Sequence, residues 1–403
     1  MKEGWTIKTI SELCDQMNGI WKGAKPPFVT ANILRTTNFT KDCQLRLDDL
    51  AIIDVEQKKM DARRLKRGDI IVEKSGGGPK QPVGRVVLFN LDESDYSFCN
   101  FTSALRIKHQ TELLPDYLYK YLTYLYFSGE TEKYQSNLVG FRNLDFKGYV
   151  SMKVMYPSIS EQQRIVGILD AEFGKIDALK ANAEKNLQNA KNLFQAALNL
   201  YFTDRKYKSS ILGKECDFVR GPFGGSLKKN CFVDAGYPVY EQQHAIYNRF
   251  VFRYYVNEKK YLEMKRFTVN GGDLIMSCSG TIGKVAIVPM DAPKGIINQA
   301  LLKLTPKTNL IPEYLLWYMN SISFTKQIQE HSQGAAIKNV ASVAILKQIS
   351  LPLPSVNEQR EIIQHLNELS NKCEVLQNNY TQTIALCDDL KQALLRKAFS
   401  GEL

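Results

Sequence analysis

The decapeptide PSISEQQRIV at residues 157–166 returns as PSVNEQREII at 354–363, 197 positions later. The likeness extends beyond the phrase. LPDYLYKYL (114–122) matches IPEYLLWYM (311–319) at the same offset, LKRGDIIV (65–72) resembles TVNGGDLIM (268–276), and VGRVVLF (83–89) resembles IGKVAIV (282–288). Near the start of each half, Cys14-Asp15 with Gly19, Trp21 and Gly23 corresponds to Cys216-Asp217 with Gly221, Phe223 and Gly225. Two copies at so long a period are a duplication and not a solenoid. Whatever one half folds into, the other repeats.

The doubled phrase predicts the start of a helix. Ser158-x-x-Glu161 and Ser355-x-x-Glu358 fit capping boxes, in which the Ser side chain accepts from the third helical N–H and the Glu reaches back to the cap's own N–H. Pro157 and Pro354 close the strand or loop before them. Capping gives no role to Gln162 and Gln359. Downstream, Leu169, Ile176, Ala183, Ala190 and Ala197 fall at sevenfold spacing, with Leu179, Leu193 and Leu200 three residues after members of that line. Leu366, Cys373, Tyr380, Cys387 and Leu394 do the same, with Leu369, Leu376 and Leu390. Heptads without Pro predict a coiled coil, although the spacing also suits an amphipathic helix lying on a globular domain. The second helix starts at the second half, so it pairs with the first only by running back along it.

The expected fold class is therefore α+β: two similar globular domains separated by a long antiparallel two-helix coiled coil, an internal pseudo-two-fold duplication. Its expected parts are a first domain at 1–153, a central helix at 154–204, a second domain at 205–350 and a C-terminal helix at 351–403. A helix of about 45 residues is a rod of roughly 65 Å.

Charge separates these parts. The first domain carries 23 basic and 19 acidic side chains and the second 20 and 10, while the helical segments are close to neutral at 5 against 6 and 5 against 7. A basic globular unit is suited to a phosphate backbone. Eight cysteines without a C-x-x-C pair and four scattered histidines make a poor metal pattern, so no metal site is expected and the thiols are expected reduced and buried. The N-terminus MKEGWTIKTI has no apolar signal-peptide run, and no stretch approaches about 18 apolar residues. Tyr117–Phe127, broken by Lys120, reads as a core helix. The expectation is a soluble, cytoplasmic protein with no membrane partner.

Within each half, β-branched runs (IIVEK, VGRVVLF, ALRIKH; DLIMS, KVAIVP, LLKLT) alternate with glycine turns. The loop SGGGPKQPVGR (75–85) sits where SCSGTIGK (277–284) sits in the second half. Its glycines would let backbone N–H groups approach a phosphate, with Lys74, Lys80, Arg85 or Lys284 adding charge; a tight hairpin with solvated lysines fits equally. LRTTNF (34–39), with Arg35, Thr36 and Asn38, corresponds to YEQQHA (240–245), with Gln242, Gln243 and His244. Arg can donate twice to guanine, and Asn or Gln can donate and accept at adenine. GFRNL (Arg142, Asn143) and AIKNV (Lys338, Asn339) share a basic-Asn pair upstream of each long helix.

No catalytic motif accompanies these segments. There is no P-loop and no G-x-S-x-G. Lys25-Pro26-Pro27-Phe28 lacks the acceptor that an amino-methyltransferase motif has at its first position. Asp42 with Glu56-x-Lys58 could hold Mg²⁺ in a nuclease, but the second half has no counterpart. No catalytic residue is assigned.

With both P-S-[IV]-[SN]-E-Q segments, the two long helices and the C-terminal LLRKAFSGEL in view, the chain resembles, across essentially its full length, the specificity subunit of type I restriction–modification enzymes. Pro-Ser stands where the family often has Pro-Pro, and the first glycine loop is longer than the family's G-x-x-G-[KR]. The resemblance implies that each globular half is a target-recognition domain reading one part of a bipartite site in double-stranded DNA. It implies helices that set the spacing and dock two modification subunits, with Gln162 and Gln359 at that interface. The chain itself would bind no cofactor. S-adenosylmethionine, ATP and Mg²⁺ would belong to the modification and restriction subunits of a host-defence complex. The competing readings are a free-standing DNA-modifying enzyme and a coiled-coil scaffold without DNA specificity.

Overall fold

A computed structural model describes residues 4–21, 23, 25–78, 81–92, 95–138, 141–203, 207–223, 225–279, 281, 283–331 and 343–403. In the first half, β1 (Thr6–Thr9) leads to β2 (Cys14–Asn18), β3 (Ile70–Glu73), β4 (Val86–Leu88) and β5 (Thr102–Ile107). The last four form an antiparallel sheet in the order β2-β5-β3-β4. Ile70, Ile71 and Val72 are buried on both faces, as their unbroken apolar run requires. One face packs on α1 (Pro115–Phe127), whose Tyr117, Leu118, Tyr121, Leu122 and Leu125 recur at helical spacing and are buried. Pro115 occupies the first turn, where its missing N–H costs nothing. The other face covers a smaller cluster with Leu34, Phe39, Phe89 and Phe98. The chain then forms β6 (Lys153–Tyr156), antiparallel to β1, and enters α2 (Ile159–Thr203).

The second half repeats this plan. Here β7 (Ser209–Ile211) is followed by β8 (Cys216–Arg220), β9 (Leu274–Ser277), β10 (Val285–Ile287) and β11 (Leu301–Pro306), with the sheet order β8-β11-β9-β10. Helix α3 (Pro312–Met319), strand β12 (Ser350–Pro352) pairing with β7, and helix α4 (Val356–Ser400) complete it. The repeat holds at side-chain level. Asp69 accepts from the Lys66 N–H and Asp273 from the Asn270 N–H, both at 2.8 Å, beside Gly68 and Gly272 in the left-handed region (φ +91° and +86°).

At the helix starts the capping box is complete in the second copy. The Ser355 N–H and hydroxyl donate to Glu358 at 2.9 and 2.7 Å, and the Glu358 N–H donates to Ser355 Oγ at 3.4 Å. In the first copy Glu161 accepts from Arg164 Nε and Nη2 at 2.7 and 2.8 Å, and Ser158 Oγ lies 3.1 Å from Ser160 Oγ.

The two glutamines differ from expectation. Gln162 and Gln359 are fully buried, so neither amide is presented to a partner surface. Gln162 Oε1 accepts from the Leu114 N–H at 2.9 Å, and its Nε2 donates to the carbonyls of Glu112 and Pro157, each at 2.9 Å. Gln359 accepts from the Ile311 N–H at 2.9 Å and donates to Asn309 and Pro354 at 2.8 and 3.0 Å. Leu114 and Ile311 are the N-cap residues of α1 and α3. Each amide thus satisfies an orphan N–H at the start of the core helix and binds that helix to the start of the long one. Tyrosines on the same helices add two ties: Tyr117 and Tyr121 donate to Met155 and Lys153 carbonyls, Tyr314 and Tyr318 to Pro352 and Ser350.

Contacts divide the chain into Met1–Ala183 with Gln382–Leu403, and Glu184–Thr381, so both boundaries fall inside long helices. In the first unit Lys391 pairs with Asp177 (2.5 Å), Lys180 with Asp388 (2.6 Å), and Arg164 reaches the Leu403 carbonyl (2.9 Å). In the second, Leu198 and Phe202 share a cluster with Ile362 and Leu366, and Tyr201 meets His365. Within each unit the helices run antiparallel. The ends of the two helices are also alike: Phe399 packs 5.4 and 5.0 Å from Tyr117 and Tyr121, Phe202 5.3 and 5.4 Å from Tyr314 and Tyr318.

The buried line of each helix follows the predicted one through Leu169-Ile176-Ala183-Ala190 and Leu366-Cys373-Cys387, while its other members, Ala197, Tyr380 and Leu394, are half-buried. The second line does not. Leu179, Leu193 and Leu200 are 52%, 54% and 71% exposed, and Leu376 and Leu390 are exposed too; of this line only Leu369 is half-buried. The half-buried line runs four residues after the first, through Phe173, Lys180, Leu187 and Phe194 on α2 and Gln377, Ile384 and Lys391 on α4. Lys391 and Lys120 both lie over the Phe173 ring, so apolar stems and cation–π contacts occupy the positions that leucines were expected to fill.

Replacing Gln359 by Ala strands the Ile311 N–H and two carbonyls in a buried site. We expect a loss of about 2–4 kcal/mol from the second unit, seen as a lower urea midpoint and faster hydrogen exchange at Ile311. An unchanged midpoint would show the amide to be dispensable.

Candidate nucleic-acid interface

Register brings the polar loops of each half to one end of its four-stranded sheet. Asn18 at the end of β2 faces Ser103, Glu73 at the end of β3 faces Thr102, and Val72 faces Val86 at the start of β4. The chain after Asn18, the glycine loop after Glu73 and the turn before Thr102 therefore share that end. Residues 142–143 join it, because Phe141–Leu144 pairs with Ser75–Gly77. The second half is arranged alike: Arg220 faces Leu302, Ser277 faces Leu301, and Met276 faces Val285. Gln242 lies beside the 278–284 loop, accepting from the Ser279 hydroxyl at 3.2 Å.

The predicted residues divide into surface groups and structural ones. Arg35 is half-buried and pairs with Asp49 at 3.0 Å. Lys74 Nζ donates to Asn18 Oδ1 at 3.1 Å and lies 5.7 Å from the Phe146 ring centre; burial lowers the pKa of this ammonium. Arg142 reaches Glu132 and Gln135 at 3.4 Å, and Asn143 Oδ1 accepts from the Ser75 hydroxyl. Gln243 donates to Glu241 at 3.2 Å. Lys284 is exposed, with no ion pair among the described residues. Lys80, Lys338 and Asn339 lie outside the described residues.

Three residues expected to contact DNA, two at base edges and Arg85 at phosphate, are internal. Asn38 is fully buried, accepting from the Arg35 N–H at 2.8 Å and donating to the carbonyls of Arg46 and Asp49 at 3.0 and 2.9 Å. It fixes the turn that carries Arg35 and Thr36. His244 is fully buried: its Nδ1 accepts from the Glu241 N–H at 2.8 Å, which leaves Nε2 to donate to Val251 at 3.0 Å. Arg85 is buried and forms a two-point pair with Glu73 at 2.8 and 2.6 Å, with further bonds to the carbonyls of Phe39 and Thr36.

The last case shows how duplicated positions diverge. Glu73 N–H donates to the Arg85 carbonyl and Ser277 N–H to the Lys284 carbonyl, each at 2.8 Å, so 73 corresponds to 277 and 85 to 284. Where the strand ends in Glu, the cation is drawn inside. Where it ends in Ser, whose hydroxyl donates to Thr281 at 2.6 Å, the lysine stays in solvent. The alignment of IIVEK with LIMSC already contained this signal.

The thiols offer no nucleophile at neutral pH in these cores, since burial pushes Cys14, Cys43 and Cys216 up to about 12. What the two ends present is cations with amide and hydroxyl donors and acceptors on short, pinned loops. That set is chemically suited to phosphates and base edges.

A family model described as the type I restriction modification DNA specificity domain matches residues 2–189 and 223–385. The specificity subunit of the type I restriction enzyme EcoKI of Escherichia coli (strain K12) is 22% identical, with 100% of this chain and 90% of that protein covered. The EcoBI specificity subunit of Escherichia coli is 29% identical over 144 residues, which span 35% of this chain and only 30% of that protein. A chain solved in work on the structural basis of complex assembly and conformational transition of the type I R-M system is 18% identical, with a TM-score of 0.79 over 100% of this chain and 99% of that one. It shares the fold.

The Glu73–Arg85 pair separates structural from surface charge. Glu73→Ala leaves a buried guanidinium unpaired and should cost about 3–5 kcal/mol of stability, whereas Lys284→Ala should stay within about 0.5 kcal/mol. Urea denaturation of the two variants checks this; equal losses would contradict the assignment.

Proposed function

The chain belongs to the type I restriction modification DNA specificity family, and from that premise we propose that it is the non-catalytic sequence-reading subunit of a type I restriction–modification complex. Each half is a target-recognition domain for one part of a bipartite DNA site. The observation that carries this reading is the recurrence, at the same end of the same sheet in both halves, of a pinned set of cationic and amide-bearing loops. A single catalytic site would need no second copy. Two readers need one each.

The exposed leucines of the long helices, Leu179, Leu193 and Leu200 on α2 and Leu376 and Leu390 on α4, support docking of two modification subunits there. Those subunits would hold S-adenosylmethionine and methylate adenine, and restriction subunits would add ATP- and Mg²⁺-dependent cleavage in the cytoplasm. The chain passes from one half to the other inside an uninterrupted helix, which suits a fixed gap between half-sites.

Inserting four residues near Ala190 lengthens α2 by about 6 Å, comparable to roughly two base-pair steps. Mapping methylated adenines in cells that carry this variant should show both half-sites unchanged and the gap one or two base pairs longer. Retained methylation with an unaltered gap would remove the helix from spacing.

A further inference from the structure

Most large aromatic side chains among the described residues are buried or half-buried; of the exposed ones, Trp21 (66%) and Phe223 (93%) are the two that fall at matching positions of the duplication. They occupy equivalent positions, each following β2 or β8 in a Gly-x-aromatic-x-Gly segment. Neither has a ring partner among the described residues.

The loops beneath them are fixed in the same way. A Cβ on Gly19 would lie 1.8 Å from the Cys99 carbonyl oxygen, and one on Gly221 would lie 1.9 Å from the Asn298 carbonyl oxygen. Only glycine lets the strand end press so closely on the turn that precedes the neighbouring strand. The Ile20 N–H then donates to Phe98 at 2.8 Å, and the Gly221 N–H to Leu301 at 2.9 Å. The next side chain is buried in both copies, Ile20 in one and Pro222 in the other. A backbone seat and a buried anchor thus hold an aromatic ring outward, twice. In the second copy the turn is also closed by the Ser226 N–H on the Phe223 carbonyl at 2.9 Å.

Both rings stand at the sheet end that carries the cationic and amide groups. Asn18, three residues before Trp21, accepts from Lys74, and Arg220, three residues before Phe223, donates to Leu301 at 2.8 Å. A ring held in solvent beside phosphate- and base-binding groups matches one surface best, the face of a nucleic-acid base. Stacking requires only a π-face, so Trp and Phe can do the same task at half-sites of different sequence. Exposing that face in a duplex requires an opened or kinked base step, which apolar wedges stabilise.

We infer that Trp21 and Phe223 are a matched pair of stacking residues, each entering an opened base step in the DNA half-site read by its own domain. This rests on the DNA-reading function proposed above.

The test uses the chain assembled with its modification subunit, and duplexes built from the methylated-adenine motif that the unaltered chain directs in cells. 2-Aminopurine placed at successive positions of each half-site brightens where a base unstacks. Beside the adenine that the modification subunit flips out to methylate, the unaltered complex should show one further such position per half-site. Trp21→Ala should silence it in one half-site and weaken binding about 10- to 100-fold, with Trp21→Phe restoring both; Phe223→Ala should do the same at the other half-site. Both rings are exposed, so the thermal midpoints should not move. Ala variants with unchanged unstacking and affinity would overturn the inference. So would loss of the modification subunit from the Ala variants on a sizing column, which would make the rings protein contacts. If the unaltered complex shows no sequence preference at all, the DNA-reading function fails, and the stacking pair with it.

Discussion

A buried glutamine amide at the start of each long helix is the joint on which this architecture turns. Gln162 and Gln359 each bind three backbone groups from two other segments, and those segments begin the core helix and end the last strand of the half. A backbone N–H buried without a partner costs more than a hydrogen bond returns, so the site is strongly specified once the chain is folded. Because the amide sits in the first turn of a 45-residue helix, the direction of that helix relative to its globular half is set there. A protein meant to hold a reading surface at a fixed attitude needs such a rigid joint.

The far ends of the helices repeat the device with apolar chemistry. Helix α2 starts in the first unit and ends with Phe202 against the Tyr314–Tyr318 pair of the second. Helix α4 starts in the second and ends with Phe399 against the Tyr117–Tyr121 pair of the first. Each unit therefore receives one helix start and one helix end, and neither is complete without the other copy's helix. The exchange is reciprocal: each half supplies the helix end that completes the core of the other's unit.

Much of this was legible in the sequence. The duplication, the α+β halves, the helix starts and the first seam of each helix depend on local pattern, and local pattern is what sequence displays. Three features were not legible for physical reasons. Two of each glutamine's three partners lie about 50 residues upstream, so the sequence around Gln162 does not announce its burial. The second helical seam was assigned to leucines that are mostly exposed, because the packed positions are held by the Phe173 ring and by Lys180 and Lys391, whose charges pair with Asp388 and Asp177. Among the candidate DNA contacts, Asn38 and His244 have the right chemistry for bases and Arg85 for phosphate, but all three face inward, and composition does not encode direction. Trp21 and Phe223 were visible as recurring residues between glycines. Only their exposure on equivalent seats gives them a role.

Independence of the two readers is the property on which the proposed function rests. It is tested most directly by replacing residues 207–350 with the matching stretch of another family member and mapping methylated adenines in cells that carry the hybrid. One half-site should alter, while the other half-site and the gap between them stay unchanged. A hybrid that alters both half-sites, or neither, would contradict it.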